Sequence, residues 1–66
     1  MENLMGGLLR ELNRNRELLK GYEEIGPAGL FGATMIKQSI ANGEKAIAEG
    51  DVVKMIEAFK DLEESQ

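Results

Sequence analysis

Sixty-six residues allow one small domain, and a chain this short buries only about 60% of its unfolded surface on folding, so a lone monomer is marginal. With no cysteine and no histidine, neither disulfides nor a structural zinc site can make up the difference, which leaves self-association as the expected stabiliser. The net charge of −4 disfavours duplex DNA, whose affinity comes from phosphate neutralisation by Lys and Arg, while the 42% hydrophobic and 5% aromatic fractions describe a folded chain with a core of Leu, Ile, Met and Ala.

The start Met1-Glu2-Asn3-Leu4 lacks the basic region and cleavage site of a signal peptide. With no cysteines, a reducing cytoplasm is the expected compartment. From there Leu4, Met5, Leu8, Leu9, Leu12, Leu18, Leu19 and Tyr22 recur at three- and four-residue steps, which predicts a first helix over about residues 2–23. Written as heptads, its seam runs Met5, Leu8, Leu12, Asn15, Leu19, Tyr22, with Asn15 the single polar member and hence a register or ligand residue.

Gly26 and Pro27 stop this pattern, and Pro27 at a first helical position with Gly26 as cap starts a second helix over about 27–49. Its apolar face is Ala33, Ile36, Ile40, Gly43 and Ile47, backed by Leu30 and Ala46, and its first turns carry the small residues Ala28, Gly29, Gly32 and Ala33. Another backbone can approach closely there. Gly50 suits a left-handed helix terminus and Asp51 an N-cap, so a third helix spans about 52–64, burying Val52 or Val53, Met55, Ile56, Phe59 and Leu62. A two-residue connection makes the second and third helices an antiparallel hairpin. The expected architecture is one all-α domain, residues 1–66: a long N-terminal helix, then a helical hairpin, stabilised by homo-oligomerisation. Leu8, Leu12, Asn15, Leu19, Gly32, Ala33 and Ile36 are its candidate interface. Met1, Met5, Met35 and Met55 are expected to fill core or interface. The longest uncharged stretch, Ile25 to Ile36, falls far short of the ~20 apolar residues that cross a bilayer.

Enzyme roles find no inventory: without His or Cys, only Ser39 and Ser65 offer serine hydroxyls, and neither sits in a nucleophile-elbow context. No metal site or cofactor is expected either, since the carboxylates fall at ordinary surface spacings. Two features point instead to binding. All three arginines, Arg10, Arg14 and Arg16, lie with Lys20 in one short segment of the first helix. Arg10 with Arg14, and Arg16 with Lys20, each share a face and could grip an anion, although pairing of Glu17 with Arg14 and Lys20 would occupy them. The stretch Ile25-Gly26-Pro27-Ala28-Gly29-Leu30-Phe31-Gly32 opens the second helix with backbone N–H groups at Ala28, Gly29 and Leu30 and a positive dipole end, which suit a phosphate or carboxylate. Tyr22 and Phe31 flank it, for packing or for stacking on a base or partner side chain. The candidate ligand residues are therefore Arg10, Arg14, Arg16, Lys20, Tyr22, Gly26, Ala28, Gly29 and Phe31.

Met35 to Leu62, with Gly50-Asp51 and the pair Ala58-Phe59, resembles part of one tetratricopeptide repeat, a likeness of shared hairpin physics. Ile25 to Gly29, Phe31-Gly32, Met35-Ile36 and Gly50 to Met55 resemble a pattern in short uncharacterised proteins of tailed phages and prophages. That resemblance covers about residues 17–62. It implies accessory phage biology in the host cytoplasm, where very small helical homo-oligomers antagonise bacterial immunity by sequestering nucleotide-like signals or by blocking a host protein. The expected function is thus non-enzymatic sequestration of a phosphorylated or nucleotide-like molecule at an oligomer interface. The alternatives are an inhibitor or adaptor of a host protein, and a small virion or assembly component.

Overall fold

The fold, obtained as a computed structural model, describes residues 2–65; the methionine role expected of Met1 lies outside them. It is all-helical, with no strand among the described residues. Helix α1 spans Leu4–Ile25, a single 3₁₀ turn Gly26–Gly29, α2 Leu30–Glu49 and α3 Val52–Glu64. The first helix begins at a cap that the apolar pattern did not mark: the Asn3 side chain accepts from the Gly6 N–H at 2.7 Å. It runs on to Ile25 and ends at Gly26, whose φ of 85° and ψ of −144° lie in a region essentially restricted to glycine. Gly26 is therefore the C-cap of α1. Its N–H donates to the Glu23 carbonyl. Pro27 sits in the 3₁₀ turn and not in α2 itself, because the chain completes a tighter turn before settling into α-geometry.

Gly50 ends α2 in the left-handed region, φ 65°, with its N–H reaching the Ala46 and Ile47 carbonyls, and Asp51 Oδ1 accepts from the Lys54 N–H at 3.1 Å to open α3. The short link folds α3 back on α2, and both pack on α1. Gly43 lies where Leu12 of α1 and Leu62 of α3 meet; a Cβ there would stand 3.0 and 3.3 Å from their side chains.

The core is Leu8, Leu12, Ile36, Ile40, Ala46, Met55, Ala58 and Leu62, with Leu18, Leu19, Tyr22, Ile47 and Phe59 against it. This corrects the interface assignment. Leu8, Leu12, Asn15, Ala33 and Ile36 are buried within the single chain, Leu19 is half-buried on the same core, and Gly32 faces the Tyr22 ring. From Leu8 onward the heptad seam packs against α2 and α3 of its own chain, while Met5 stays exposed, so an oligomer would have to use other surface. Val52, Val53 and Ile56 are exposed rather than buried, as are Met5 and Met35, because Met55, Ala58 and Leu62 define the inward stripe of α3. The molecule measures 35 × 23 × 16 Å. A body only 16 Å thick cannot wrap every apolar stripe, and large hydrophobics stay in solvent on several helices.

Candidate functional site

The four cations of α1 do not form an open anion site. Arg10 Nε donates to Glu2 at 3.0 Å, and its Nη1 donates to Glu11; hydrogen bonding to Glu2, above all, raises the Arg10 pKa above its usual value. Arg14 Nε donates to Glu11 Oε1 at 2.9 Å, while Nη2 donates to the carbonyls of Leu62 at 2.6 Å and Ser65 at 3.0 Å. Arg16 bridges Asn13 and Glu44, each at 2.9 Å, and Lys20 reaches Glu17 at 3.1 Å. Four cations thus face Glu2, Glu11, Glu17 and Glu44, and an anionic ligand would have to displace carboxylates already in place. Arg14 pairs with Glu11, not with Glu17, because that geometry also lets it cap the last turn of α3.

Sequence reasoning missed Glu11, which is 3% exposed. Such a carboxylate is tolerable only because Arg10 and Arg14 flank it. The flanking pattern, Arg on either side at −1 and +3, was the available signal. Asn15 lies directly beside it and is fully buried. Its Nδ2 donates to the carbonyls of Glu11 at 2.8 Å and Leu62 at 3.0 Å, so the amide orientation is fixed by two acceptors. Its Oδ1 has no partner. Asn15 thus ties α1 to α3 through the Leu62 carbonyl.

The glycine stretch is equally committed within the chain. A Cβ on Gly29 would stand 2.2 Å from the Tyr22 carbonyl oxygen, and one on Gly32 would stand 2.6 Å from the Tyr22 ring. What passes close to this backbone is the end of α1. The Leu30 N–H donates to the Pro27 carbonyl, which removes one of the three donors expected for an anion, and Gly29 is buried. Gly26 serves the turn, and Ala28 is exposed in it. Nor do the nine expected ligand residues converge: Arg10 and Tyr22 are twelve positions apart, about 18 Å along a helix.

What the break does present is apolar surface. Phe31 is 79% exposed, Leu30 65%, Ile25 61% and Met35 56%, all at one end of the molecule. Phe31 and Met35 are one turn apart on α2 and share a face. On one flank of this ridge lies a groove of about 220 Å³ lined by Tyr22, Gly32, Met35, Ile36, Ser39, Asp61, Glu64 and Ser65. On the other lies a hollow of about 430 Å³ lined by Tyr22, Glu23, Gly26, Pro27, Leu30, Ala33 and Lys37, with Lys37 and Glu23 joined at 3.4 Å. Tyr22 lines both. The break thus presents apolar side chains beside two concavities.

Among the described residues no cluster of acids could hold a metal ion, and no helix is long and apolar enough to cross a membrane. No family model, curated protein or solved structure matches the chain.

Proposed function

We propose that this chain is a non-enzymatic binding protein whose apolar ridge at the α1–α2 break docks on a partner protein, the second of the two binding roles expected from the sequence. The observation that carries the reading is the exposure of Phe31 together with Leu30, Ile25 and Met35. Four large apolar side chains left in water within residues 25–35 cost solubility without aiding the core, and exposed apolar surface concentrated in this way marks an interaction surface. The 3₁₀ turn and the Gly29–Tyr22 contact make it a preformed one, which lowers the ordering cost of binding. The resemblance to short phage proteins supplies a context, in which the partner is a bacterial host protein and docking blocks or redirects it. Sequestration of a nucleotide-like molecule gains less support, because each of its cations is paired to a carboxylate of the same chain.

A photo-crosslinking residue placed at position 31 tests the reading inside bacterial cells. The expected result is a discrete protein adduct at Phe31 and none at the exposed Ala48 on the far end of α2. Equal adducts at both positions, or none at Phe31, would count against it.

A further inference from the structure

Resting on the docking reading, we infer that the partner segment received beside the ridge is basic: a segment of a partner protein that carries Lys or Arg next to an apolar anchor.

The charge balance of the chain carries this. Six of its eight basic residues, Arg10, Arg14, Arg16, Lys20, Lys37 and Lys54, are ion-paired, to Glu2, Glu11, Glu17, Glu23, Glu44 and Glu49. The net charge of −4 therefore resides in the other acids, less Lys45 and Lys60. Two of those unpaired acids, Asp61 and Glu64, line the groove of about 220 Å³ beside the break, together with Met35 and Ile36. They lie three positions apart on α3 and so share a face. Lys60, one turn from Glu64, makes no ion pair with it among the described residues. The groove thus joins an apolar floor to an uncompensated acidic wall. A purely apolar partner would strip water from both carboxylates without replacing it, and an acidic one would add repulsion. A Lys or Arg beside an apolar side chain satisfies floor and wall together, and a guanidinium can bridge both carboxylates.

Display selection of helical peptides on the immobilised full chain tests this without a known partner. Peptides recovered on the wild type are expected to combine an apolar anchor with Lys or Arg within one helical turn. A recovered peptide should bind Asp61→Asn/Glu64→Gln about tenfold more weakly, and should bind Glu24→Gln/Glu57→Gln, which changes charge equally away from the groove, as it binds the wild type. Circular dichroism confirms that each variant folds. Recovered peptides without a basic excess, or with affinity unchanged by Asp61→Asn/Glu64→Gln, would overturn the inference. If those same peptides were lost on Phe31→Ser/Met35→Ser, apolar docking would still stand. Recovery of no peptide would overturn both. A dimer in sedimentation that dissociates on Phe31→Ser would also overturn the inference, by making a second copy the occupant.

Discussion

Among the described residues, Glu11 and Asn15 are the buried polar side chains, and both lie at the point where α1 holds the end of α3. Arg14 neutralises Glu11 and also caps the Leu62 carbonyl, to which Asn15 donates as well. Removing Arg14 therefore leaves both a buried charge and a helix terminus less satisfied. Arg14→Met should cost about 2 kcal/mol in urea unfolding, below the usual 3–5 for a broken buried pair, because its side chain is 41% exposed and Arg10 remains on Glu11. A cost near zero would mean that the network contributes nothing. At Asn15 the contrast between two variants is more telling than either alone. Asn15→Leu loses two hydrogen bonds but also removes the unpartnered Oδ1, whereas Asn15→Asp places an acceptor-only group against two carbonyls and beside Glu11. The Asp variant should be less stable than the Leu variant by at least about 2 kcal/mol; equal stabilities would contradict the assigned amide orientation. The position of Asn15 in the apolar seam was legible in the sequence. The burial of Glu11 was not, because helical periodicity weighs apolar residues and passes over a carboxylate whose neighbours are what bury it.

At the scale of elements, the glycines separate by what lies across from them. Gly29→Ala would drive a Cβ into the Tyr22 carbonyl and should destabilise by about 3 kcal/mol, the upper range for overpacking, since backbone cannot yield as a side chain can. Gly21→Ala meets nothing within 4 Å on the exposed side of α1 and should stabilise by roughly 0.5–1 kcal/mol. Thermal melts of the pair check both signs; a harmless Gly29→Ala would show that the turn does not lie against α1 as described. That the break demands a close approach could be read from its small residues. That the approaching object is the end of α1 could not, because local composition says a backbone can come near without saying whose. The same gap explains the turn itself: Pro27 signals a helical start, and only tertiary contact decides that a 3₁₀ turn precedes α2. Gly50 and Asp51 were readable because their roles depend on their own dihedrals and one side-chain oxygen.

The whole molecule is a thin helical body that closes one core and leaves a ridge of apolar side chains at its break. Its cations are mostly spent on its own carboxylates, which argues for binding through shape and apolar contact, with acidic rather than basic surface at the margin. Native mass spectrometry of the chain purified from a bacterial host tests that claim most directly, because it reports a bound protein, a second copy and a small ligand in one spectrum. The expected result is a protein partner in integral stoichiometry that is lost in Phe31→Ser/Met35→Ser while the melting temperature is kept. A retained mass of a few hundred daltons, unaffected by those substitutions and lost in Arg10→Ala/Arg16→Ala, would contradict it and return the function to the arginines of α1.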